Sequence, residues 1–289
     1  NYDGMFNHTW RFFLLDEHPE WFPLVNGVRT KHHTSGRPSM LCVSNPQLRD
    51  YVVEYVLKFF KENPQATVFA LNPEDEPTFW CECDSCMALD GEQKEKLAKD
   101  TSKELAERDL FRSGWNHMTD RTVNFVNEIA ERVTKVHPGK LIELYAYGST
   151  RKPPIREKVH PNVILKYTHY ATVLNRSLMD NSIPRYKKVI EILNGWKKAG
   201  VKQFAIYDYS NWINKDVPNF WFYQNTSLMR DLHENWNFRN CLGEVHLVFP
   251  SSLVFANVKA RSMWNIKIDY KEEIRDICSI FYGPAAEAM

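Results

Sequence analysis

Helical stripes alternate with short apolar strands along most of this chain, and each strand runs out into acidic, aromatic or amide residues. That alternation restricts the fold to right-handed βαβ units and a parallel sheet. The first helix is expected near 46–62. Asn45-Pro46 opens it, Val52, Val53, Val56, Phe59 and Phe60 form its apolar stripe, and Asn63-Pro64 ends it. The continuous apolar run 67–71 follows, of the kind buried on both faces of a parallel sheet. A second helix is expected near 119–136, then strands at 141–147 and 163–167. A helix near 184–198 stops at Gly200 and leads to a strand at 203–207. A helix near 225–235, a strand at 243–249 and helices near 252–264 and 269–281 complete the pattern.

An open dinucleotide-binding sheet would place a G-x-G-x-x-G turn after one of these strands, and none is present. Polar strand ends instead fit a (β/α)₈ barrel, whose active site is built at the C-terminal ends of its strands. With 4–10 read as a strand end, six barrel strands are counted, so two more are expected upstream of Asn1. The expectation is one barrel domain over 1–289. A charged stretch, 87–118, is read as an insertion after the fourth barrel strand, serving as a lid or a solvated helix.

The formal net charge is +1, which gives no electrostatic reason to expect nucleic acid or an anionic membrane as partner. No apolar run is long enough to span a bilayer, and the N-terminus shows no signal-peptide pattern. Aromatic residues make up 13% of the chain; such rings fill cores and also stack on the flat faces of sugars. Among the cysteines, Cys81, Cys83 and Cys86 form a C-x-C-x-x-C run that Cys42 can complete. That set reads as structural zinc, as disulfides or as free thiols. Cys241 and Cys278 read as core residues.

The densest chemical signal is Asn72-Pro73-Glu74-Asp75-Glu76-Pro77, directly after the strand 67–71. Adjacent carboxylates repel, which raises a pKa and suits a general acid near neutrality. Glycoside hydrolysis needs such an acid and a second group at the anomeric carbon. Where the sugar's own 2-acetamido oxygen attacks, a neighbouring carboxylate has only to orient that acetamide. A protein nucleophile would instead come from another strand, and Asp208 is the candidate. Other strand ends supply a lining: His8, Trp10, Asn72, Tyr145, Tyr147, Tyr167, His169, Tyr207, Tyr209, Trp212, Glu244 and His246.

At several of these points the chain resembles a bacterial family carrying domain of unknown function 4838, which includes the glycoside hydrolases of family 163. The similar pieces are Leu41-Cys42-Val43-Ser44-Asn45-Pro46, Leu71-Asn72-Pro73-Glu74-Asp75 and Trp80-Cys81-Glu82-Cys83-Asp84-Ser85-Cys86. His18-Pro19-Glu20-Trp21-Phe22 followed by Gly27 also fits, as does the ending Phe281-Tyr282-Gly283-Pro284-Ala285-Ala286. The resemblance implies a (β/α)₈ barrel acting as an endo-β-N-acetylglucosaminidase on complex N-glycans. It also implies a secreted or periplasmic protein with further domains in a longer chain. Asp75 is the firmest carried-over residue; many relatives have Asn and Gly where this chain has Glu74 and Glu76. The reading assigns Glu76 as general acid and Asp75 as the acetamide-orienting carboxylate, with Glu74 and Asp75 as the other pair. No cofactor is expected for catalysis. A glycosidase for uronic or other acidic sugars, using Lys166, Arg151 or Arg176, is an alternative. So is a non-catalytic glycan-binding barrel relying on Trp212 or Tyr147.

Overall fold

The structure is a computed structural model. It describes residues 9–10, 18–32, 36, 39–75, 79–90, 118–168, 177–180, 182, 184–208, 222–243 and 250–288. His8, Glu76, His169, Arg176, Tyr209, Trp212, Glu244 and His246 lie outside the described residues, as do the side chains of Asp208 and Cys241. The chain divides into two compact units, one of Asn1–Tyr167 with Gly195–Lys202 and one of Thr168–Asn194 with Gln203–Met289.

The first unit opens with a hairpin, β1 (Leu24–Val25) and β2 (Val28–Arg29). Its turn, Asn26-Gly27, has φ of 50° and 80°, the left-handed pair that a two-residue hairpin requires. Helix α1 (Pro46–Glu62) starts where Asn45 caps it, its side chain accepting from Leu48 N, with Pro46 in the first turn. Leu48, Val52, Val53, Val56 and Phe60 are buried along one stripe. Strand β3 (Val68–Ala70) follows, buried at every position, then the short helix α2 (Asp84–Asp90). Residues 87–90, expected to begin the charged insertion, are thus the last turn of α2; 91–117 lie outside the described residues.

Helix α3 (Thr119–Val136) buries Val123, Val126, Ile129, Ala130 and Val133, the stripe read from the sequence. Arg49 of α1 ties the two helices together: it pairs with Glu128 and donates to Asn124 Oδ1 at 2.8 Å. Strand β4 (Leu141–Ala146) pairs in parallel with β3, and β5 (Val163–Thr168) pairs in parallel with β4. At the start of α3, the buried Asp120 carboxylate accepts backbone N–H groups from Ile155 (3.1 Å), Arg156 (2.8 Å) and Glu157 (2.9 Å), fixing the loop that returns the chain to β5. Helix α4 (Pro184–Ala199) ends at Gly200, where φ is +117° and a Cβ would stand 3.0 Å from Val159 O. Glycine is required there on both counts.

In the second unit β6 (Gln203–Asp208) and β7 (Phe238–Gly243) pair in parallel across helix α5 (Phe222–Trp236). A last strand was expected at 243–249, of which 244–249 lie outside the described residues; the strand the structure describes here begins at Phe238. Asn237, at φ 55°, turns the chain straight out of α5, and Phe238 stacks on Phe204 with centroids 5.3 Å apart. Helices α6 (Pro250–Trp264) and α7 (Tyr270–Tyr282) close the chain. They share a small core of Val258, Ile277 and Cys278; Asp269 caps α7 by accepting from Lys271 N.

The fold is therefore mixed α/β, with five parallel strands and flanking helices. Among the described residues no pairing closes these strands into a barrel, which takes eight strands. The segment 4–10 was counted as a strand end; Trp10 lies in a helical turn rather than a strand, and 4–8 fall outside the described residues. No helix among the described residues is long and apolar enough to cross a membrane.

The Asp120 cap yields a stability prediction. Asp120→Asn removes the charge that three backbone donors share and should cost about 2 kcal/mol. A lower urea midpoint at unchanged slope is the expected readout; an unchanged midpoint would mean those donors are equally well served by water.

Candidate active site

Side chains two apart along a strand share a face, and the parallel register carries that parity from strand to strand. Ala70 stands beside Glu143, and Tyr145 beside Lys166. One face of β3–β5 therefore presents Asn72, Glu143, Tyr145, Tyr147 and Lys166. The opposite face presents Phe69, Ile142, Leu144, Leu165 and Tyr167, and packs on α1, where Phe69 meets the Phe59 ring at 5.0 Å.

The polar face is held by a buried charge pair. Lys166 Nζ lies 2.6 Å from Glu143 Oε1, with side-chain exposures of 1% and 0%. The same carboxylate oxygen accepts from Asn72 Nδ2 at 2.8 Å, and the ammonium sits 5.2 Å above the Tyr145 ring. Burial pushes the Glu143 carboxyl up to about 7, with Lys166 pulling the other way. A buried pair of this kind is costly to assemble and more costly to break by removing one partner.

Asn72 carries that order into the acidic turn. Its N–H donates to Thr9 Oγ1 at 2.8 Å, and its carbonyl accepts from Thr9 N at 3.1 Å. Beyond it, Glu74 is buried and Asp75 is half-buried. Tyr147 OH donates to Asp75 Oδ1 at 3.1 Å. Glu74, Tyr145, Tyr147 and Trp80, with Met40, Pro73, Ser149 and Thr150, line a shallow cleft that opens in part to solvent. The arrangement offers a carboxylate and a phenol side by side at an aromatic wall. It can grip a small polar group through both while a ring face covers an apolar surface.

The four cysteines singled out by spacing converge behind this wall. None of the four forms a disulfide, and their sulfurs lie within 4.8 Å of one another. Cys42 Sγ is 3.7 Å from Cys83 Sγ and 3.9 Å from Cys86 Sγ. Leu24 N donates to Cys81 Sγ at 3.3 Å, and Ser44 Oγ contacts Cys86 Sγ at 3.0 Å. Hydrogen bonding within the cluster holds the Cys42 thiol well below its ordinary value and pushes Cys81 up to about 11. Four sulfurs so placed can bind a metal ion. Arg121, fully buried in α3, pairs with Asp90 and donates to the Cys81 carbonyl at 2.7 Å, so the cluster is also tied to the core.

Of the sequence-assigned lining residues, Tyr145 and Tyr147 reach the cleft with Glu74, and Tyr147 contacts Asp75. Four others stand elsewhere. Trp10 is fully buried against Trp80 and Phe125, at 6.0 and 5.7 Å, and serves as packing. Tyr167 is buried on the helix-facing side of β5. Asn72 is buried and holds Glu143 rather than lining the cleft. Tyr207 is buried in the second unit's sheet. Lys166, the cation of the acidic-sugar reading, is engaged with Glu143 in the interior. Glu143 had no role assigned from sequence. Its signal was present, since Glu143 and Lys166 are single opposite charges interrupting two otherwise apolar or aromatic strands.

A carboxyl whose folded pKa lies above its unfolded value favours the folded state at low pH. For Glu143 that window runs from its ordinary 4.5 to about 7. Stability should fall by an amount on the order of a few kcal/mol as pH rises through it. Glu143→Gln should be less stable overall but flat across the same range in urea titrations; an unchanged slope would contradict the assignment.

Comparison with known proteins agrees with the cysteine and acidic-turn motifs. No curated protein and no solved structure matches the chain. Residues 5–289 match the model of a family described as Domain of unknown function (DUF4838). The chain accordingly belongs to the DUF4838 family.

Proposed function

We propose that this chain is the catalytic part of a (β/α)₈-barrel glycoside hydrolase that cleaves β-linked N-acetylglucosaminyl bonds by substrate-assisted retention. The observation that carries the reading is the Tyr147–Asp75 hydrogen bond of 3.1 Å at the mouth of a cleft walled by Trp80 and Tyr145. A 2-acetamido group presents one N–H donor and one carbonyl acceptor. On binding, the acetamide takes the place of the Tyr147–Asp75 contact: Asp75 accepts from its N–H, and Tyr147 turns its single O–H from Asp75 to the carbonyl oxygen, which sets that oxygen toward the anomeric carbon.

Glu76 gives its proton to the glycosidic oxygen as the bond to C1 breaks. The acetamide oxygen forms the new bond to C1, and Asp75 stabilises the positive charge that spreads onto the acetamide nitrogen. Water then adds to C1, Glu76 takes its proton, and the oxazolinium ring reopens with the starting configuration restored. No step calls on a metal. Membership of glycoside hydrolase family 163, endo action on N-glycans, and a secreted or periplasmic location with carbohydrate as partner belong to the same proposal. Glu74 lines the cleft, and that favours Glu74 with Asp75 as the second form of the acid assignment.

The test is mass spectrometry of glycans released from a complex-type N-glycoprotein by the full chain and its variants. Released glycans should lack one reducing-end N-acetylglucosamine. Glu76→Gln should lower turnover about 10²–10⁴-fold, with a smaller loss on aryl glycosides whose leaving group needs no proton. Asp75→Asn should lose turnover on both kinds of substrate. Loss in Glu74→Gln but not Glu76→Gln would transfer the acid role to Glu74. No release by a well-folded parent chain would overturn the reading.

A further inference from the structure

The geometry points to a structural zinc ion bound by Cys42, Cys81, Cys83 and Cys86, clamping the wall of the cleft from behind. Four thiolates at the usual zinc–sulfur distance of about 2.3 Å stand about 3.8 Å apart in a tetrahedron. Cys42 Sγ meets that spacing to two partners, at 3.7 and 3.9 Å, and all four sulfurs fall within 4.8 Å of one another. A disulfide would single out one partner, whereas Cys42 stands nearly equidistant from Cys83 and Cys86. An all-sulfur set selects zinc among the common hard and borderline cations. It leaves no open coordination position, which makes the site structural rather than catalytic.

The surroundings suit the complex that would form. Zinc binding displaces the four thiol protons and leaves a net charge of −2 on the ZnS₄ group. Arg29 Nη1 stands 3.8 Å from Cys81 Sγ and brings a positive charge against it. The backbone N–H of Leu24 also donates to Cys81 Sγ at 3.3 Å. Oriented N–H groups of this kind hold metal-bound thiolates in place.

The ligands come from three segments: the approach to α1, the far end of the acidic loop, and the start of α2. Met40 and Trp80 line the cleft; Trp80 directly precedes Cys81 in the chain, and Met40 stands two residues before Cys42. Met40 N also donates to Phe79 O at 3.0 Å, pairing the two strips. One ion therefore fixes both the exit of the loop that carries Asp75 and the wall facing it. The assignment requires no particular substrate, and it can be read without any assay of activity.

Elemental analysis of the full chain, purified without chelators or added metal, should give close to one zinc per chain. Replacement by cobalt(II) should produce the visible ligand-field bands and sulfur-to-cobalt charge-transfer absorption of a tetrahedral thiolate site. Cys83→Ser should lose most of the zinc, and stripping the wild type with a chelator should lower its Tm by several degrees. Because a cysteine variant can fail to fold, the wild-type metal content and cobalt spectrum stand as the primary readouts. Metal-free protein with four reactive thiols would overturn the inference. So would an intact mass two hydrogens lighter per bridge, as disulfides require.

Discussion

Glu143 and Lys166 come from neighbouring parallel strands, and neither side chain reaches water. Two ions in an apolar sheet are tolerated only at close range and with further hydrogen bonds. The Asn72 amide supplies one of these. Register, the rotamer of Asn72 and the exit of β3 are thereby coupled. A slip of one residue in either strand pair would turn one charge onto the helix-packed face, away from its partner. The pair works less as a source of stability than as a lock on the arrangement from which the acidic turn emerges.

That turn is held at both ends by different physics. At its start, the Leu71 N–H donates to Glu143 O at 2.9 Å, and Asn72 is fastened to Thr9. At its end, the chain enters the cysteine cluster at Cys81, whose carbonyl is gripped by the buried Arg121. Glu74 and Asp75 lie between two fixed points, so Glu74 lines the cleft and Asp75 meets Tyr147 at it without either being part of the regular sheet. A loop anchored in this way gives catalytic groups definite positions while leaving their surroundings free to vary.

Much of this was legible in the chain. Asn45-Pro46 and the stripe behind it gave α1 both its start and its buried face, because capping and periodicity are local. The C-x-C-x-x-C run was legible from spacing, with Cys42 named only as a residue that could complete it, and the buried stripe of α3 was legible from its valines. What escaped depends on tertiary context. The Glu143–Lys166 contact requires the strand register, which no single strand contains. Trp10 and Tyr167 looked like lining residues because strand-end position does not say which face a ring takes. Strand β7 escaped because its start depends on Asn237, whose left-handed turn begins the strand directly after α5. The β1–β2 hairpin had its Asn-Gly signal, but strands of two residues carry too little alternation to be noticed.

Amide hydrogen exchange across residues 71–82 of the full native chain tests the double anchoring most directly. Leu71, Asn72 and Glu82 each donate a hydrogen bond of 2.9 Å or shorter to a partner far away in sequence: Glu143 O, Thr9 Oγ1 and Leu24 O. All three should exchange far more slowly than in an unstructured peptide, at both ends of the loop alike. Free exchange at either end would show that the acidic turn hangs from one anchor, and the placement of Asp75 beside Tyr147 would lose its foundation.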